Sequence, residues 1–121
     1  MITEDYCSFE VAKLLKEKGF DVYTYAYYED EDNPNISLYG SKAINWNKTE
    51  FISKPTLQTA MKWLREAHNL NIGILFGHLR DFKTHWNFYI EGIELGRESM
   101  FFHTYEEACE AAIKYCLENL I

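Results

Sequence analysis

The sequence predicts an α+β fold: a mainly antiparallel sheet of about five strands with three helices, mostly on one face, in the order α-β-β-α-β-β-β-α. Three observations carry this. Three stretches set apolar residues at helical spacing behind good capping residues. Five others are rich in β-branched and aromatic residues, some in strict alternation. Short turn-like connections join successive strands, which favours antiparallel pairing with helices packed on the sheet. The 121 residues fit one domain, 1–121, able to bury a core without disulfide or metal staples. At 47% hydrophobic and 17% aromatic, the chain is too apolar to be disordered.

The first helix is expected to start at Ser8, an N-cap followed by Glu10 where the helix dipole favours negative charge. Val11, Leu14 and Leu15 share a face, and Gly19 stands where a left-handed C-terminal cap belongs. The second helix follows Pro55 and Thr56, with Leu57, Ala60, Met61, Leu64 and Ala67 on one side and Asn69 as its cap. The third begins at Thr104, which has capping-box spacing to Glu107. Its apolar stripe runs Tyr105, Ala108, Cys109, Ala112, Ile113, Cys116, Leu117, Leu120.

Val22 to Tyr28 reads as a strand whose hairpin partner, Ile36 to Tyr39, returns across the acidic turn Glu29 to Asp32. Ile72 to Phe76 is a short apolar strand. His85 to Glu91 alternates, with Trp86, Phe88 and Ile90 on one face and Asn87, Tyr89 and Glu91 on the other. Ser99 to Phe102 is expected to pair with it, and 41–54 reads as a connection.

Cys109 and Cys116 lie seven apart on one helix, about 10 Å of rise, too far for a disulfide. They read with Cys7 as free thiols of a reducing compartment, so the expected location is the cytoplasm. No apolar run approaches the ~20 residues that span a bilayer, and the acidic N-terminal stretch has no apolar core, so neither a membrane partner nor a secretory leader is expected. Charge is polarised along the chain. Residues 1–32 carry 9 acids and 3 bases, 33–90 carry 3 and 7, and 91–121 carry 7 and 2.

No motif selects a catalytic or cofactor site: there is no nucleophile elbow, Walker loop or dinucleotide fingerprint. No catalytic residue, cofactor or metal is therefore assigned. The acidic turn departs from the calcium-loop template, since Pro34 and Asn35 stand where a ligand and a glycine belong. His78, Asp81 and His85 match no strong zinc spacing. Cys7, beside a helix N-terminus, and the His78/His85 pair nevertheless define an enzyme or metal-binding alternative. A second alternative is nucleic-acid binding through the basic middle, 33–90. There Lys42, Lys48, Lys54, Lys62, Arg65, Arg80 and Lys83 would form a stripe with Trp46 or Trp86 as stacking platforms. The acidic start of the third helix and a pI near 5.0 oppose it.

Tyrosine is the remaining feature. Tyr23, Tyr25 and Tyr27 alternate along one face, with Val22, Thr24, Ala26 and Tyr28 on the other. If the tyrosine face is the open one, it forms an amphipathic patch of the kind enriched at protein interfaces; otherwise it roofs the core. Tyr23, Tyr25 and Tyr27, with Trp46 and Trp86, are the candidate partner-binding residues.

Three strings also resemble a family of short uncharacterised proteins from phages and prophages of gut bacteria. They are Ser8 to Phe20, Pro55 to Glu66 with Trp63-Leu64-Arg65, and Tyr105-Glu106-Glu107-Ala108 with Lys114 to Asn119. The resemblance covers the three helices and implies a setting, with no activity and no catalytic residues attached. The expected function is thus a non-enzymatic accessory protein that binds another protein, whether of the host, of the phage or a second copy of itself.

Overall fold

The computed structural model describes residues 4–29, 37–77 and 85–121. The fold is α+β, with three helices and five antiparallel strands among the described residues. Helix α1 (Phe9–Glu17) is followed by β1 (Thr24–Tyr28), β2 (Ser37–Ile44) and β3 (Ile52–Ser53). Helix α2 (Leu57–His68), β4 (Ile72–Phe76), β5 (Trp86–Ile90) and α3 (Tyr105–Asn119) complete it. The residues group into two compact units, one running to Ala60 and the other starting at Met61, so the boundary falls inside α2.

The caps sit where the sequence places them. Ser8 Oγ accepts from the Val11 amide at 3.2 Å and starts α1. Gly19 takes φ +89° at its end, and Phe20 N–H donates back to the Leu15 carbonyl at 2.9 Å, which lets Phe20 fold into the core. Asn69 adopts φ 56° after α2. Thr104 Oγ1 accepts from the Glu107 amide at 3.0 Å, while Glu107 Oε2 accepts from the amide of His103 at 3.1 Å, one residue earlier than the usual capping box. Exposed His103 is thus tied by its backbone.

In the first unit the sheet order is β2-β1-β3, antiparallel throughout. The β1–β2 hairpin appears as expected, but β2 extends to Ile44 and its register breaks. Ala26 pairs with Tyr39 and Thr24 with Ile44, so residues 40–43 bulge opposite Tyr25 alone. The stretch read as a connection, 41–54, therefore supplies the end of β2, a turn of 3-10 helix at Trp46–Lys48 and all of β3. Asn47 stabilises that turn, its Nδ2 donating to the Phe20 carbonyl and its Oδ1 accepting from the Ser53 amide. Thr24, Ala26 and Tyr28 form the buried face of β1, and Ala12 of α1 packs with Tyr28 and Ile52. Phe9 meets the Tyr28 ring edge-on at 5.4 Å. Lys16 Nζ donates to the carbonyls of Thr49 and Phe51, fastening the chain before β3 to α1.

After β3 the chain changes partner. Lys54 N–H makes one more bond to β1, donating to the Ala26 carbonyl at 3.0 Å. From buried Pro55 onward it pairs with the N-terminal segment: Tyr6 bridges Thr56, Cys7 N–H donates to the Pro55 carbonyl, and Leu57 N–H donates to the Asp5 carbonyl. The Tyr28 hydroxyl donates to the Cys7 carbonyl at 2.7 Å, locking β1 to this junction.

The second unit carries its own two-stranded sheet, β4-β5, beneath α3. The five strands are thus shared between two sheets rather than joined in one. Phe88 and Ile90 are buried, and so is Asn87 on the opposite face. Gly73 lies directly under the Tyr89 ring, where any side chain would displace it. The strand expected at Ser99 to Phe102 reduces to a single bridge, with Phe102 exchanging backbone hydrogen bonds with Trp86 at 2.8 and 2.9 Å. The reason lies in the backbone of Phe101, whose φ of 73° breaks an extended run; its amide donates instead to Asn87 Oδ1. With β3 present and this strand absent, the order is α-β-β-β-α-β-β-α.

The Tyr28–Cys7 bond yields a direct expectation. Tyr28→Phe keeps the ring in place but removes the buried hydrogen bond to the Cys7 carbonyl, and should cost about 1–3 kcal/mol in urea unfolding. A change below a few tenths would show that the junction does not depend on this bond.

Candidate functional site

The alternation of β1 decides which face is open. Small Thr24 and Ala26 lie inward with Tyr28, and the other tyrosines face out. Tyr23 is 68% exposed and Tyr25 59%. Tyr27 behaves differently, since its ring stacks on Trp46 at 4.2 Å and lies 5.0 Å from Phe51. Trp46 is itself anchored, with Nε1 donating to the Thr24 carbonyl at 2.6 Å. Of the five aromatic candidates, Tyr27 and Trp46 form a half-buried stack and Tyr23 and Tyr25 stand free of the core. Trp86 belongs to the second unit, packed by Phe76 at 4.8 Å and Tyr105 at 5.5 Å.

Beside Tyr23 and Tyr25 lies a groove of about 210 Å³. It opens where the chain leaves β1 at Pro55, and its walls include Tyr6, Lys54, Thr56 and Thr59. The Lys54 ammonium sits 4.9 Å from the Tyr6 ring centroid and 5.0 Å from that of Tyr28. Such cation–π contacts contribute about 0.5–2 kcal/mol and hold the charge in place. Thr56 caps α2, its Oγ1 accepting from the Thr59 amide and donating to Thr59 Oγ1. The arrangement is a small cleft of mixed lining, with one lysine, three hydroxyl-bearing rings and two threonine hydroxyls. Among its described lining residues no nucleophile is paired with a base.

The sequence reading missed Tyr6, Thr56 and Thr59, and knew Lys54 only as one of seven scattered bases. The usable signal was Lys54-Pro55-Thr56, because a proline ending a strand turns the following residues away from their ladder.

The other candidates are placed as follows. Cys7 is fully buried, with Sγ 3.9 Å from the Thr56 carbonyl oxygen. His85 has its ring 5.7 Å from that of His103 and 5.8 Å from Phe101. His78 and Asp81 lie outside the described residues, as do Arg80, Lys83 and the Asp30-to-Asn35 stretch of the acidic turn. Among the described residues no three His, Cys, Asp or Glu side chains are placed to hold a metal ion. Lys42 and Lys48 are exposed in the first unit, and Lys62 and Arg65 on α2 in the second, where Lys62 approaches Glu66 at 3.9 Å. No described helix is long and apolar enough to cross a membrane.

All three cysteines are free and buried. Burial pushes the Cys109 thiol from 9.0 up to about 11; a hydrogen bond with Tyr105 lowers it in part and the Glu106 carboxylate raises it. Burial pushes Cys116 up to about 12. No family model matches the chain, and neither a curated protein nor a solved structure proves similar to it.

These thiols couple stability to alkaline pH. From pH 9 upward the unfolded chain gives up both protons, while the folded chain holds that of Cys109 until about pH 11 and that of Cys116 until about pH 12. Stability should therefore fall as pH rises, by up to about 1.4 kcal/mol per pH unit for each thiol. Urea midpoints taken across that range should show a shallower decline for the C109A/C116A variant than for the wild type. Parallel slopes would mean that the thiols titrate alike in both states.

Proposed function

We propose that this chain is a non-enzymatic binding module that holds another protein through the Tyr23/Tyr25 flank and the adjoining groove. The observation that carries this reading is the outward projection of two large aromatic side chains, Tyr23 just before β1 and Tyr25 within it, 68% and 59% exposed. Tyrosine offers much contact area and a hydroxyl at little conformational cost, which is why it is enriched at protein interfaces. The thiols of Cys109 and Cys116, buried and held protonated, support binding over catalysis. The resemblance of the helical strings to short phage and prophage proteins supports a cytoplasmic accessory role, with a partner from the host or the phage.

The test is a pull-down from bacterial lysate, with and without nuclease, comparing the wild type with Y23S/Y25S. The wild type should retain a near-stoichiometric protein after nuclease. The double variant should lose it with a melting temperature within a degree or two of wild type, since neither ring is in the core. Adding Tyr27→Ser should lower the melting temperature, because it removes the stack on Trp46. A partner kept by Y23S/Y25S refutes this surface. Material that disappears with nuclease moves the function to the basic middle of the chain.

A further inference from the structure

Between β2 and β3 the chain forms a strap, residues 45–51, whose described amide hydrogen bonds all close within it. Asn47 N–H donates to Asn45 Oδ1 and Lys48 N–H to the Asn45 carbonyl. Thr49 N–H donates to the Trp46 carbonyl and Phe51 N–H to Thr49 Oγ1. Neither ladder of the sheet includes these residues. Side chains fasten the strap instead. Trp46 Nε1 donates to the Thr24 carbonyl at 2.6 Å, Asn47 spans the Phe20 carbonyl and the Ser53 amide, and Lys16 Nζ donates to the Thr49 and Phe51 carbonyls. Each of these bonds is exchanged for one to water when it breaks, so its net contribution is small.

Closure also strands a polar group. Ser53 is 1% exposed, and its hydroxyl has no hydrogen-bond partner among the described residues. Ser53 pairs with Tyr27 across the ladder, so the two side chains share a face. On that face the strap lies over Tyr27, with Trp46 at 4.2 Å and Phe51 at 5.0 Å, and Asn47 reaches the Ser53 amide from the same turn. The closed strap thus keeps a hydroxyl from water and gives it nothing in exchange, a cost that opening relieves.

We infer that residues 45–51 open as one piece while the rest of the first unit stays folded, hydrating the Ser53 hydroxyl and uncovering the Tyr27 and Trp46 rings. Tyr27 follows Tyr25 on the same face of β1, so opening lengthens the outward tyrosine row. The value of that longer row to a partner rests on the binding-module reading. The opening itself does not.

The experiment is hydrogen exchange followed by NMR on the full chain, with no partner present. The Trp46 indole N–H and the Ser53 amide bridge the strap to the body and report its opening, while the buried Leu15 amide in α1 reports unfolding of the whole unit. After correction for intrinsic rates, the two strap hydrogens should exchange at least tenfold faster than Leu15. Ser53→Ala, which removes the stranded hydroxyl, should slow the Trp46 indole about tenfold, with a melting temperature no lower than wild type. Trp46→Phe keeps a ring on Tyr27 but deletes the bond to Thr24, and should speed the Ser53 amide about fivefold. Strap hydrogens that exchange in step with Leu15 would show that the strap opens only when the unit unfolds, and overturn the inference. An unchanged or faster indole in Ser53→Ala overturns it too, by showing the hydroxyl satisfied in the closed form through a buried water. Failure here leaves the Tyr23/Tyr25 surface standing, and a partner kept by Y23S/Y25S leaves the strap's opening standing.

Discussion

The organisation of the first unit depends on the change of pairing partner at Pro55. Proline's ring fixes its φ near −65° and removes a donor, so the β3 strand cannot run on alongside β1. The backbone that would have lengthened the sheet instead bonds to residues 5–7, through Cys7 N–H to the Pro55 carbonyl and Leu57 N–H to the Asp5 carbonyl. That places Ser8 at the start of α1 and Thr56 at the start of α2 from a common anchor. The Tyr28 hydroxyl on the Cys7 carbonyl then ties the anchor to the middle of the sheet. The groove is the space left where two antiparallel pairings part company.

The same strand shows why an interface and a core share one stretch of sequence. Thr24 and Ala26 are small and buried, and Tyr28 packs with Ala12 of α1 and Ile52, its hydroxyl satisfied by the Cys7 carbonyl. Residues of opposite parity are freed from packing. Tyr27 is recruited by Trp46 and Phe51, whereas Tyr23 and Tyr25 have no comparable stack among the described residues. Apolar area left in water at these positions is a standing cost that burial against a partner would recover.

Helices were legible in the sequence because their signals are local. Ser8, Gly19, Asn69 and Thr104 each act within a few residues, and each occupies the expected cap. Strand pairing was less legible because its determinants are distant. Nothing near Ile52 announces that β1 has room beside it, and two residues are too few for a periodic signal. Phe101 shows the opposite failure: an apolar, aromatic stretch suggested a strand, and one left-handed backbone conformation ended it. Of the site, the alternating tyrosines could be read but not which side of the sheet was covered. Tyr6, Thr56 and Thr59 could not be read, since tertiary pairing alone unites them.

The bulge in the hairpin has a consequence for how this protein can change. In a regular ladder, inserting or deleting one residue turns every later side chain to the opposite face. Here residues 40–43 face Tyr25 alone, and regular pairing resumes on either side at Tyr39 with Ala26 and at Ile44 with Thr24. The excursion works as an expansion joint. Its length can drift over generations while Thr24 and Ala26 stay inward and Tyr25 stays outward. The surface opposite the bulge is therefore free to diversify without renegotiating the core behind it.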